Sequence, residues 1–136
     1  MRQVQTQITI LDAAQATGAG NSIMVMDFRH IDLILSAAGM GAGDTIVMKL
    51  QGSSQKAAPT FSSAKIIDNE WDYIQMVDKG DGSSIDGDTG ITFSAASDLR
   101  KLTANVDGLT WITVNITTIS DTTSTSGSAK ATLYND

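Results

Sequence analysis

The chain has no cysteine and only one histidine, His30, among its 136 residues. Without cysteine there is no disulfide framework, no thiolate metal site and no cysteine nucleophile. A lone histidine excludes a multi-histidine metal centre. Proline occurs once, at Pro59, and aromatic residues make up 5% of the chain. The longest apolar stretches, Ile23–Met26 and Ile31–Leu35, are broken by Asp27 and Asp32, far short of the roughly 18 residues a membrane helix needs. The start, Met1-Arg2-Gln3-Val4-Gln5-Thr6-Gln7, has one arginine and no apolar region behind it. No secretory signal and no membrane partner are therefore expected, and the chain is expected to be made in a cytoplasm. Basic residues are few, nine lysines and arginines against fifteen acids. Only Arg100 and Lys101 adjoin, and adjacent strand residues point to opposite faces. With no basic stripe interleaved with aromatics, no nucleic-acid partner is expected. The net charge of −6 is ordinarily a device for solubility. The sharper alternative is an acidic face matched to a basic partner.

What is present is alternation. Apolar residues make up 41% of the chain, enough for one domain spanning residues 1–136. Gln7–Ile10, Ile23–Met26, Phe28–Ser36, Thr45–Gln51, Trp71–Val77, Ile91–Phe93, Leu99–Val106 and Trp111–Ile119 read as strands, with Ala129, Ala131 and Leu133 in a last one. Ile46, Met48 and Leu50 share one face, as do Ile112, Val114 and Ile116, with Trp111, Thr113 and Asn115 opposite. Gly39–Asp44 reads as a hairpin loop, Gly52–Ser63 as a long loop, and Asp107-Gly108 as the turn of a hairpin joining its two flanking strands. The pattern predicts an all-β fold, an antiparallel β-sandwich or jelly roll of about eight or nine strands. No repeat and no linker is visible, and residues 1–22 are a candidate N-terminal arm.

Asp78, Asp81, Asp86 and Asp88 fall in one glycine-rich segment and are a weak calcium candidate. The spacing departs from the EF-hand pattern, and Asp and Gly also favour tight turns. A glycosidase pair is disfavoured because such an acid needs burial to raise its pKa. His30 has no visible orienting partner, and no Gly-x-Ser-x-Gly elbow exists for a triad. The glycine clusters at 18–20 and 39–43 lack the helix and lysine of a phosphate loop. Trp71, Tyr73 and Trp111 are either core anchors or, alternatively, a glycan-stacking platform. Asn115-Ile116-Thr117 is a glycosylation sequon, idle without secretion. No catalytic residue, metal or cofactor is expected.

From Met26 onward several stretches carry a likeness: Asp27-Phe28-Arg29-His30 leading into a strand, Val47–Ser53 after a glycine loop, Glu70–Ile74, and Gly82–Gly87. The most telling is Asn105–Ile112, followed by Thr125-Ser126-Gly127-Ser128 and a short final strand. In these the chain resembles small virion structural proteins of tailed bacteriophages, of the capsid decoration or cement kind. The resemblance implies a non-enzymatic β-sandwich located in the virion. Its partners would be the major capsid protein and further copies of itself, a trimer first among the oligomers. Alternatives are a neck or tail structural protein, or a carbohydrate-binding sandwich on a fibre that uses Trp71, Tyr73 or Trp111. Ala37-Ala38, Ala57-Ala58 and Ala95-Ala96 are small enough for close subunit approach.

Overall fold

The computed structural model describes residues 7–55, 71–94, 98–121 and 123–135. Ala57-Ala58, Pro59 and Ala95-Ala96 lie outside them. The described residues contain twelve strands and no helix: β1 (Ile8–Ala14), β2 (Gly18–Ala19), β3 (Ile23–Met24), β4 (His30–Ala38), β5 (Thr45–Ser53), β6 (Asp72–Tyr73), β7 (Met76–Asp78), β8 (Ser84–Ile85), β9 (Ile91–Ser94), β10 (Asp98–Asn105), β11 (Trp111–Ile119) and β12 (Ser126–Tyr134). They form two antiparallel sheets. One has the order β1-β12-β4-β10-β7-β8; the other is β2-β11-β5-β6, with β3 also on β11 and β9 also on β5. The all-β sandwich read from the alternation is the fold.

The alternation decides which faces meet. Ile31, Leu33, Leu35 and Ala37 of β4 and Ala129, Ala131 and Leu133 of β12 are buried, opposite Ile46, Met48 and Leu50 of β5 and Ile112, Val114 and Ile116 of β11. Large side chains of one sheet stand over small ones of the other. A Cβ on Gly127 would come within 2.8 Å of Ile46 Cδ1 and 3.1 Å of Ile116 Cδ1. Such interdigitation gives a sandwich the packing density of a solid.

Four local expectations are corrected. Asp107-Gly108 does not close a hairpin: β10 pairs with β4 and β7, whereas β11 pairs with β5, β2 and β3. The Leu109 amide does donate to Val106 O at 2.9 Å, closing a tight turn. Only Gly108 has positive φ (+86°), and Asp107 does not. The hairpin turns need positive φ at the first central residue, so this turn does not match the twist of a two-stranded ribbon. It carries the chain from one sheet to the other. Gly39–Asp44 likewise joins β4 in one sheet to β5 in the other. The Trp71–Val77 strand is split, with β6 on β5 and β7 on β10. The Ile74 amide still bonds Leu50 O at 2.9 Å before the chain crosses over. The first strand runs past Ile10 to Ala14 because irregularities after Thr9 and Leu11 reset its register on β12. That irregularity lets consecutive Ile10 and Leu11 both be buried. The stretch considered as an arm thus supplies, from Ile8 onward, a strand to each sheet.

The outward face of β11 is also buried. Thr113 and Asn115 are both 0% exposed, as is Gln51 beside Thr113 on β5. Thr113 Oγ1 donates to Gly20 O at 3.2 Å. Asn115 sits in the glycosylation sequon yet has no surface on which to carry a glycan.

Candidate binding face

The strand order brings together residues from remote parts of the chain on the outer face of the first sheet. Register places Tyr134, His30 and Asn105 in one cross-strand row. Thr132, Asp32, Thr103, Val77 and Ser84 form the next. Lys130, Ile34 and Lys101 form the third. Lys79 joins that third row, since its amide donates to Lys101 O at 2.9 Å. Apart from Ser84, each of these residues adjoins a buried neighbour, which is why it lies on the outer face. The rings of His30 and Tyr134 stack at 4.8 Å with 9° between their planes. Lys79 Nζ reaches Asp32 at 3.2 Å. Two depressions flank these rows. One of about 620 Å³ is lined by Arg29, His30, Gln75, Val77, Thr103 and Asn105 among others. A smaller one of about 240 Å³ is lined by Asp32, Ile34, Lys79, Lys101, Thr132 and Tyr134 among others.

Three of the six basic residues among the described residues, Lys79, Lys101 and Lys130, therefore share one face of an acidic protein. Their sequence positions did not show this. Lys130 and Lys101 each stand alone in a strand and Lys79 follows β7, and only the neighbour relation β12-β4-β10-β7 makes a row of them.

The acidic segment behaves differently from a single ligand cluster. Asp78 is buried, and its Oδ2 accepts from Arg100 Nε at 3.0 Å and from Arg100 Nη2, while Oδ1 accepts the Gly80 amide at 2.7 Å. Arg100 thus turns toward Asp78 while Lys101 faces outward. Asp81 accepts from the hydroxyl of Ser83 at 2.7 Å and from its amide at 2.9 Å. Asp86 accepts the Asp88 amide at 2.8 Å. The four aspartates split into two turns, and among the described residues no three His, Asp or Glu side chains converge on one point.

These bonds set the response to acid. The Gly80 amide, then Arg100, holds the Asp78 carboxyl below its usual range. The Ser83 hydroxyl does the same for Asp81, and the hydroxyls of Ser124 and Thr123 do so more strongly for Asp121. A depressed native pKa means the unfolded chain binds more protons near pH 4, so stability falls as pH falls. The contribution is fully present above the unfolded value of 3.8. It is lost as pH drops from there through the lower native values. Denaturant midpoints measured from pH 7 downward should be unaffected by these groups to about pH 5 and then drop steeply below about pH 4. Asp121→Asn should flatten that drop; an unchanged acid limb in the variant would show that the loop bonds are not its source.

The three aromatics considered for glycan stacking do not form a platform. Trp71 is 1% exposed and lies outside the central apolar cluster. The ring of Tyr73 is covered by Lys49 Nζ at 4.7 Å. Burial, and then the charge of Asp88, raises the Tyr73 pKa. Trp111 is half-buried on β11, in the row of Met24 and Ser53, while Tyr73 stands in the row of Thr113 and Gln51. The half-buried aromatic pair of the outer sheet face, His30 and Tyr134, was missed. Pairing them requires knowing that the last strand lies beside β4.

No protein-family model matches the chain, and no curated protein matches it in sequence. Among solved structures it is similar to the SPBc2 prophage-derived protein YomS, at 13% identity and a TM-score of 0.65, over 99% of this chain and 96% of that one. It is also similar to the PBSX exported protein XepA, at 15% identity and a TM-score of 0.65, over 98% of this chain but 38% of XepA. What is shared is the fold. The whole described body, both sheets included, corresponds to nearly all of YomS and to about two-fifths of XepA.

Proposed function

We propose that the chain is a non-enzymatic structural protein of a phage virion, a decoration protein that binds the major capsid protein in many copies and stabilises the head. The observation that carries this reading is the end-to-end match of the sandwich to a prophage-derived protein of nearly the same extent. The physics is compatible with the role. A decoration protein needs a stable body with a docking surface, and weak contacts of many copies add through multivalency. Binding only the assembled lattice shifts its stability by mass action.

The test is direct. Purified protein added to emptied capsids that lack it should sediment with them at a stoichiometry near that of the shell subunits, and should raise the temperature at which the heads rupture. A handful of copies per intact particle would move the protein to the neck or tail. Absence from purified particles would end the virion reading.

A further inference from the structure

We infer that the lysine row on the outer face of the first sheet docks the acidic edge of a second copy of this chain. The contact rests on the multi-copy reading above and adds the surfaces through which copies meet. Lys79, one residue past β7, lies beside Lys101 through its amide bond to Lys101 O, and like charges placed so cost stability. Asp32 compensates Lys79 alone. Lys101 and Lys130 are exposed, with half-buried Ile34 between them, and make no ion pair among the described residues. The row crosses four strands, roughly 14 Å at the usual strand spacing. It borders the 240 Å³ depression floored by Ile34 and walled by Lys79, Lys101 and Tyr134.

The same chain carries the complement. Asp72, Asp86 and Asp88 are exposed around Tyr73, with Gly87 packed on the backbone of Tyr73 and Ile74. None of the three makes an ion pair among the described residues. Asp86 and Asp88 follow β8, the edge strand of the lysine-bearing sheet, and Asp72 opens β6, the edge strand of the other sheet. β8 has only two residues, and a short edge with flanking charges is a surface that resists strand-to-strand pairing. An edge so protected can still be held by charge. One copy's edge against the next copy's sheet face is a head-to-tail contact, which closes into a ring if the rotation allows it.

The experiment is sedimentation velocity at low and high salt on the wild type, on Lys101→Glu with Lys130→Glu, and on Asp86→Lys with Asp88→Lys, each checked for folding by thermal melt. The wild type should associate at low salt and fall to monomer near 1 M salt, where screening acts within about 3 Å. Each double variant alone should be monomeric, and an equimolar mixture of the two should associate again. Lys101→Gln with Lys130→Gln replaces the first variant should charge reversal unfold it. Asp12→Lys with Asp44→Lys changes the net charge equally at other places and should leave association intact. A wild type that is monomeric at low salt overturns the contact. So does association that survives both double variants, or that the Asp12 and Asp44 control weakens equally. A lysine variant that loses capsid binding without any change in self-association also overturns it, assigning the face to another acidic partner. Capsid binding assayed in parallel separates the two readings: a self-association that behaves as expected beside absent capsid binding sinks only the decoration role.

Discussion

Gly39→Ala should lower the melting temperature by roughly 10 °C, whereas Gly43→Ala, four residues along the same connection, should cost little. Both glycines have positive φ, +70° and +84°. For alanine that conformation alone costs about 1 kcal/mol. The difference lies in what a methyl group would meet. At Gly43 nothing lies within 4 Å. At Gly39 the new Cβ would land on the carbonyl oxygen of Ser124 and within 3.0 Å of its carbonyl carbon. That carbonyl cannot swing away cheaply. Thr125 beside it is 0% exposed, and Asp121 accepts from the Thr123 amide at 2.8 Å and from both the Thr123 and Ser124 hydroxyls. The next residue, Ser126, opens β12 opposite Ala38. Relief of the clash would drag the start of the central pairing of the first sheet with it. The expected loss is about 3 kcal/mol or more, a drop in melting temperature of roughly 10 °C for a domain this size. A thermal or urea melt of the two variants side by side decides it. Equal, small losses would mean that the loop at 121–125 yields freely.

The contrast between these glycines also shows what the sequence could and could not disclose. The glycines at 39, 41 and 43 announce a turn, and the alternation in β4, β5, β11 and β12 announces which residues go inside. Both properties are local, set by backbone freedom and by the two-residue period of a strand. Which strands become neighbours is not local. Asp107-Gly108 between two alternating segments has the composition of a hairpin turn, yet β10 and β11 belong to different sheets. The decision rests on competing partners: β10 finds an eight-residue register with β4, and β11 a long one with β5. These pairings bury Leu102 and Ala104 in one sheet and Ile112, Val114 and Ile116 in the other. A β10–β11 hairpin would put both apolar sets on one sheet and deprive β4 and β5 of their partners. The lysine row and the His30–Tyr134 stack were hidden for the same reason. Tyr134 is 104 positions from His30, and nothing in either segment refers to the other. Trp71 shows the limit from the opposite side. Its burial follows from its size, but its place outside the central cluster depends on how the chain crosses between sheets at Ile74.

Phe93→Ala should cost about 3–5 kcal/mol, the usual range for emptying a buried aromatic site. Phe93 is 1% exposed and, among the described residues, is the one aromatic in the buried central cluster, the others being aliphatic or methionine. It sits on β9, a four-residue strand whose outward residues, Thr92 and Ser94, are exposed. β9 is bonded to β5 alone, with Phe93 opposite Ile46 and Ile91 opposite Met48. Ile91 and Phe93 are therefore what fastens this strand to the body, and removing the ring both opens a cavity and loosens the strand. The surrounding side chains cannot collapse into the space without breaking longer ladders, since Ile46 and Met48 are fixed by β11 on their other side. Thr92→Ala, which touches the same strand on its solvent face, should stay within about 0.5 kcal/mol. Equilibrium urea unfolding measures both. If the cavity accounts for the loss, the midpoint moves and the slope does not; a smaller slope would show that β9 has already detached from the native body. Phe93→Leu separates the two contributions further: it returns most of the apolar volume, and should recover more than half of the loss if packing rather than ring shape holds β9 in place.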